Sequence, residues 1–590
     1  MKRHYWSLFI TGVIFCVMGF MLYGHVLHGE FVSDDYPYIV ENLAVRNCLD
    51  LPGIWRSFST RFLVMVSFAV NYRLHQLDVF GYHLVNIIIH IMNALLVAGL
   101  VFFTFRMPAL KDSPWVPRSG SVAFYAGLIF LCHPVQTQAV SFITQRATSM
   151  AVMFYLLSLV FYAQARIRGR FVFWFCSWSA MLLGVFSKEM IVTLPVTVLV
   201  YEVYFGRDLK RQLKRIMPYG MMAVLVLLAF WMDRPGSVLG LKAQLKSGGF
   251  DWRYLLTEIN VLRTYLRLVL IPVNQIHHYT YTLSTSFWEP ATLGSFALLV
   301  SIAVFAARVR RPAPLLSFCI FWFFITTAVE FWVVCFVKRG VLYEHWLYLP
   351  MVGFSIFISL GLHRLMPRVV IAKGILLLIV GLYCILTVLR NFVWQTEIGF
   401  WEDVVQKSSQ TPLVYLGSGT AYQRQGRLDE AFMHYQWGLR LFAEQGKELK
   451  QNDRAYLSSI YNNLGIIYEH MGLREQAVRA YQNAYRYDVD NPSPYRNLAN
   501  ICLRTRKFRQ ALFLLNQESR ITPNDPEIHY GFGLSFLGLN QKDKAIAALK
   551  RAEYLYRHYG DAGKVEKVRG ILGRLSQQDN PRSGFARPVN

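Results

Sequence analysis

From residue 7 to residue 389 the chain alternates long apolar runs with short loops, and the charge in those loops is mostly basic. Nothing else constrains the fold as much. A run of about twenty apolar residues crosses a bilayer as a helix, because only a hydrogen-bond ladder within the segment satisfies its backbone in hydrocarbon. Candidate spans fall at 7–27, 83–105, 121–140, 148–165, 171–187, 190–205, 217–232, 287–307, 314–335, 347–363 and 369–389, about eleven in all. The composition agrees: 54% of the chain is hydrophobic and 16% is charged, against about a quarter charged in soluble domains.

With Lys2 and Arg3 on the cytoplasmic side, alternate loops carry Arg106, Lys111 and Arg118, then Arg166, Arg168 and Arg170, then Arg207, Lys210, Arg211, Lys214 and Arg215, then Arg308, Arg310 and Arg311, then Arg364 and Arg368. That is the positive-inside pattern. It accounts for the net charge of +25 without nucleic acid, and no nucleic-acid partner is expected. The first run has no small-x-small cleavage site and reads as an uncleaved signal anchor. An odd number of spans puts everything after Arg390 outside. Short loops in a compact chain favour a bacterial inner membrane and a periplasmic C-terminal part; in a eukaryote the same side is the secretory lumen. Two further apolar stretches, 61–77 and 254–271, are broken by polar and charged residues and read as amphipathic helices on the outer surface. The eight cysteines include no C-x-x-C pair, and most lie in apolar runs as small core residues.

Past residue 390 the pattern changes. Small residues recur at Gly419, Gly465, Ala499 and Gly533, and alanines at Ala431, Ala477, Ala511 and Ala545, both in steps of 46, 34 and 34. A period of 34 is that of the tetratricopeptide repeat (TPR), a helix pair whose small residues allow close approach. Tyr422, Tyr468, Phe536, Tyr435 and Tyr481 supply the bulky partners, and Pro523 ends a second helix. The longer first step places an insertion near 442–456. The fold class expected is all-α: a polytopic helical membrane domain over 1–390, then a TPR α-solenoid over 391–580 with four repeats at about 412–556 and a C-terminal helix. The solenoid groove reads either as a surface for a protein or peptide partner or as a rigid cap.

Directly after the first span, at 31–36, comes Phe-Val-Ser-Asp34-Asp35-Tyr. Adjacent carboxylates raise one another's pKa. Such a pair can take a proton from a hydroxyl or hold a divalent cation. It can equally be a solvated loop start with capping aspartates.

Six stretches, in order, carry a resemblance: 31–42 (FVSDDYPYIVEN), 81–90 (GYHLVNIIIH), 133–146 (HPVQTQAVSFITQR), Lys188-Glu189, 344–353 (EHWLYLPMVG), and Arg390 with Trp394 and Trp401. Together with the repeats they resemble the C-type (GT-C) glycosyltransferases, above all the transmembrane-and-TPR protein O-mannosyltransferase group. The resemblance implies an enzyme that moves a sugar from a polyprenyl-phosphate donor in the membrane to a hydroxyl, on protein Ser/Thr or another acceptor, at the outer face. Asp34 or Asp35 is then the general base, and the other orients the hydroxyl or binds metal. Arg146, Lys188 with Glu189, and Arg390 are the expected donor-phosphate residues, and His83, His90, His133, Glu344 and Tyr348 are further site candidates. A divalent cation, Mg or Mn, is the one cofactor the resemblance leaves room for. The chain departs from the group's pattern at Gln136, Gln138 and His345, where a histidine, an acid and an arginine are usual. A non-enzymatic membrane-anchored TPR scaffold is the alternative, but one anchor would serve it. A transporter would carry charges in mid-span, which most of these spans lack.

Overall fold

The computed structural model describes residues 2–232, 250–337, 340–366, 368–445, 449 and 451–577. They form helices joined by loops, with no β-strand among the described residues. The chain divides into two compact units, Met1–Val404 and Val405–Asn590. The boundary falls inside the helix Glu397–Ser408, so the buried rings of Trp394, Phe400 and Trp401 pack within the first unit.

In the first unit the long helices are Lys2–Tyr23, Val79–Thr104, Arg146–Arg168, Leu209–Met232, Trp252–Leu270, Pro290–Val309, Pro314–Val337 and Val369–Phe392. Shorter ones are Ser119–Cys132, Phe171–Val185, Leu194–Phe205 and Pro350–Leu365. Each expected span coincides with a helix, while among the described residues six helices are long and apolar enough to cross a membrane by length and composition. The expected span at 121–140 is cut short. Its helix stops at Cys132 because Pro134 drives His133 into an extended conformation (φ −74°, ψ 128°). The chain then makes short turns from Pro134 to Gln145 before Arg146 starts the next helix. The stretches set apart at 61–77 and 254–271 form the separate helices Phe62–His75 and Trp252–Leu270.

Between helices in hydrocarbon, hydrogen bonds and close packing replace the hydrophobic term as the adhesive. Tyr201 OH meets Thr104 Oγ1 at 2.8 Å, and Ser158 Oγ donates to the Ser177 carbonyl at 2.8 Å. The Arg166 guanidinium pairs with the buried Glu202 carboxylate at 2.8 Å, which also accepts from Tyr162 OH at 2.7 Å.

The second unit stacks the pairs Pro412–Arg424/Leu428–Gln445, Gln451–His470/Arg474–Tyr487, Pro492–Arg504/Phe508–Ile521 and Pro526–Gly538/Lys542–His558, followed by Ala562–Gln577. Lengthening of Leu428–Gln445 and Gln451–His470 takes up much of the longer first step. At Gly465 an added Cβ would fall 2.5 Å from the Tyr481 ring, so helix and ring meet only because no side chain intervenes. The turn within each pair needs one left-handed residue: Gly426 (φ 76°), Gly472 (75°), Arg506 (57°) and Asn540 (56°). Each turn is closed by the same bond one residue later, as from Lys507 N to the Cys502 carbonyl at 2.8 Å.

Candidate functional site

The two aspartates have different environments. Ser33 sits in the left-handed region (φ 49°) and turns the chain so that Asp34 is exposed while Asp35 is fully buried. Both Asp35 oxygens are used: Oδ2 accepts from Val32 N at 3.1 Å and Oδ1 from Thr144 N at 2.9 Å. Burial pushes Asp35 up to about 7 even against those two backbone donors. Asp34 is also raised, by the protein packed around it, and the Arg61 guanidinium pulls it back. Asp35 therefore ties this loop to the segment before Arg146, and Asp34 is the exposed carboxylate of the two.

Arg146 does not present its fork to a ligand. It is fully buried and donates to Asn86 Oδ1 at 2.7 Å, Asn71 Oδ1 at 2.7 Å, Ser67 Oγ at 3.1 Å and the Tyr82 carbonyl at 2.8 Å. Phe68 covers its face at 4.5 Å. These acceptors come from the helices Phe62–His75 and Val79–Thr104, so Arg146 pins both to its own helix.

His90, His133 and Tyr348 are likewise internal. His90 donates from Nε2 to the Leu131 carbonyl at 3.1 Å and accepts at Nδ1 from Tyr348 OH at 2.8 Å. His133 caps its own turn by accepting from Val135 N at 3.2 Å, and donates from Nε2 to the Val269 carbonyl at 3.1 Å. His83 is buried with neither ring nitrogen partnered.

Gln138 and His345, two departures from the family pattern, touch each other. Gln138 Oε1 accepts from His345 N at 2.7 Å and from its Nδ1 at 3.1 Å, and Gln138 Nε2 donates to His277 Nδ1 at 3.0 Å. Burial, with Lys188 nearby, pushes His345 well below its ordinary value, so it is neutral. A neutral hydrogen-bonded pair thus stands where the resemblance led to an acid and an arginine being expected. His277 is half-buried between Phe142, Trp394 and Phe400. The amide of Gln136 is buried with neither atom partnered. Glu344 is buried and accepts from Tyr279 OH at 2.8 Å, Ile276 N at 2.8 Å and Gln275 Nε2 at 2.9 Å. Arg390 is paired with Asp403 at 2.8 Å.

Lys188 is buried, and its Nζ donates to Thr148 Oγ1 at 2.8 Å. Burial pushes its pKa down, Glu330 and Glu189 push it back up, and Arg61 opposes them. Arg61 thus lies within electrostatic reach of Asp34, Lys188 and His345. In the sequence Arg61 is only the first residue of an amphipathic stretch. Glu330 is not among the expected site residues either, although a lone acid in an apolar run is a signal in itself. Glu330, Glu258 and Glu189 each have a buried carboxylate oxygen without a partner.

Among the described residues no group of three or more His, Cys, Asp and Glu side chains is arranged to hold a metal ion. Asp35 has both oxygens committed, and Asp34 alone is a poor ligand set for Mg, which takes six oxygens.

Fold and site together define a polytopic helical membrane protein with TPR repeats and an acidic couplet in its first long loop. In sequence it is a relative of the transmembrane-and-TPR protein O-mannosyl-transferases. Residues 458–491 match the tetratricopeptide repeat family. The protein O-mannosyl-transferase F38B6.6 of Caenorhabditis elegans is 26% identical over 450 residues, covering 69% of this chain and 59% of that protein. Human protein O-mannosyl-transferase TMTC1 is 25% identical over 507 residues, covering 73% of this chain and 55% of that protein. The chain thus spans little more than half the length of these relatives. Among solved structures, ArnT from Cupriavidus metallidurans, crystallised with undecaprenyl phosphate, aligns with a TM-score of 0.36 at 14% identity, over 83% of this chain and 80% of that one.

Proposed function

We propose that this chain is a membrane glycosyltransferase that moves a sugar from a polyprenyl phosphate to a hydroxyl of a protein acceptor on the non-cytoplasmic side. The observation that carries the reading is the unequal aspartate pair: one carboxylate locked by two backbone donors, its neighbour open and electrostatically linked to Arg61. Asp34 takes the proton of the acceptor hydroxyl as its oxygen attacks the anomeric carbon. The bond from that carbon to the phosphate oxygen breaks, and the polyprenyl phosphate leaves with the electron pair. Attack opposite the leaving group inverts the anomeric centre. Arg61 and Lys188, which interact electrostatically with each other, neutralise the charge gathering on the phosphate.

An apolar cavity of about 220 Å³, lined by Leu266, Val269, Phe323, Phe354 and Phe357 among others, fits part of an isoprenoid chain. It adjoins His133, whose ring lies 5.9 Å from that of Phe354 and whose Nε2 donates to Val269. The basic loops favour an outer position for Asp34, Lys188 and Glu344, which are joined to spans of the same parity. The TPR unit recruits the acceptor.

The test is transfer by purified chain in proteoliposomes, using radiolabelled polyprenyl-phosphate hexoses and a Ser/Thr-rich unfolded polypeptide. Label should move to the polypeptide, with inversion. No transfer from any such donor, in a sample that retains its melting transition, would refute the reading.

A further inference from the structure

Three carboxylates stand around Lys188, and the transfer chemistry leaves them unused. Glu330 is the one charged residue in the helix Pro314–Val337, Glu258 lies about two turns into Trp252–Leu270, and Glu189 opens the short turn Glu189–Thr193. Asp251 N donates to the Cys335 carbonyl at 3.3 Å and fixes the start of one helix against the end of the other. Glu258 is then about 10 Å along its helix from that anchor and Glu330 about 7.5 Å back along its own, which brings the two side by side. They act on each other electrostatically, and Glu330 acts also on Lys188, Glu189 and Arg61. Glu330 and Glu258 are both more than nine-tenths buried. Each of the three carboxylates has a buried oxygen with no hydrogen-bond partner among the described residues. A buried carboxylate without donors is destabilising, and a ligand that brings hydrogens to it removes the penalty.

The charges select that ligand. Carboxylates repel a phosphate, and among the described residues no group of three or more His, Cys, Asp and Glu side chains is arranged to hold a metal ion. A neutral polyol fits. Its hydroxyls donate short, charge-assisted hydrogen bonds to carboxylates, and neighbouring hydroxyls on a ring engage two oxygens at once. Lys188, which gives one hydrogen to Thr148 and interacts with Glu330, Glu189 and Arg61, is where the acids meet the cations. A sugar on a lipid phosphate is divided in the same way, into a neutral ring rich in hydroxyls and an anionic phosphate.

We propose that Glu258 and Glu330 bind the hydroxyls of the donor's sugar, a neutral hexose, while Lys188 and Arg61 face its phosphate. The assignment rests on the proposed function and makes this carboxylate pair the determinant of which sugar is accepted. A sugar with a carboxylate of its own is rejected by repulsion.

The experiment measures binding, with the full-length protein in nanodiscs titrated by native mass spectrometry. The probes are a bare polyprenyl phosphate and the same lipid phosphate carrying mannose, glucose or glucuronic acid. At least one neutral hexosyl lipid should bind wild type about tenfold or more tightly than the bare lipid, and the glucuronosyl lipid should show no such gain. Glu330→Gln and Glu258→Gln should each cut the hexose gain to about threefold or less. The bare lipid should bind each variant no more weakly than wild type, with the melting temperature unchanged. A hexose gain that survives both variants, a wild type without such a gain, or variants that lose the bare lipid as well would overturn the subsite. Transfer to the Ser/Thr-rich polypeptide is followed on the same wild-type samples. Transfer accompanied by a gain indifferent to both variants refutes the subsite alone, and a gain that depends on the carboxylates without any transfer refutes the enzyme alone.

Discussion

Replacing Arg146 by lysine separates a structural pillar from a phosphate ligand. The guanidinium makes four hydrogen bonds to four different residues and lies under the Phe68 ring. An ammonium presents three hydrogens from one point and cannot reach acceptors spread around a planar fork. At least one acceptor loses its partner in a fully buried site, and two do if lysine stops short of the Tyr82 carbonyl. Hydrogen bonds to a charged group contribute about 1.5–3 kcal/mol each, so the loss of one or two is about 1.5–6 kcal/mol. Arg146→Lys is therefore expected to lower the thermal inactivation temperature of detergent-purified protein by several degrees. In the folded fraction the KM for donor should change by less than about threefold, roughly 0.6 kcal/mol. An unchanged inactivation temperature with donor KM raised tenfold or more would refute this reasoning and restore Arg146 to the donor site.

Arg61→Ala should behave in the opposite way, raising donor KM by about tenfold or more, about 1.4 kcal/mol, with little change in melting, whereas Lys188→Ala should raise donor KM and also lower the melting temperature, because it leaves Glu330 and Glu189 without their buried cation; initial rates against donor concentration decide. Asp35 holds its proton more tightly folded, at about 7, than unfolded, near 3.8, so its contribution to stability is greatest in acid and is lost as pH rises from about 4 to 7. Over about three units that amounts to about 4 kcal/mol, and Asp35→Asn should flatten this part of the profile in melting curves taken at pH 4.5 and 7.5. Arg506 sits at φ 57° where two other repeats place glycine, so Arg506→Gly should stabilise the TPR unit by about 0.5–1 kcal/mol in chemical denaturation.

Much of the architecture was legible because it rests on local periodicity. Apolar runs mark the membrane helices, and the 34-residue step marks the repeats whatever their neighbours do. What the sequence hid depends on contacts between distant segments. Asp35 is buried because Thr144, 109 residues away, donates to it, and nothing near 31–36 distinguishes it from Asp34. The role of Arg146 follows from Asn71 and Asn86, polar residues set in otherwise apolar stretches; their presence was a signal of buried polar pairing, but the partner was not readable. Gln138 and His345 look like two independent departures along the chain and become one coherent neutral pair only in space. Arg61 was hidden because its segment reads as an amphipathic stretch, while its electrostatic neighbours Asp34, Lys188 and His345 come from other parts of the chain.

The central claim is that Asp34, and not its neighbour, removes the proton from the acceptor. Single-turnover transfer at saturating donor and acceptor, followed across pH for wild type and Asp34→Asn, addresses it directly. Removal of a general base predicts a fall of about 10²–10⁴ in the transfer rate, loss of the rising limb in the pH profile, and an unchanged melting temperature. A rate within tenfold of wild type that keeps the same limb would contradict it.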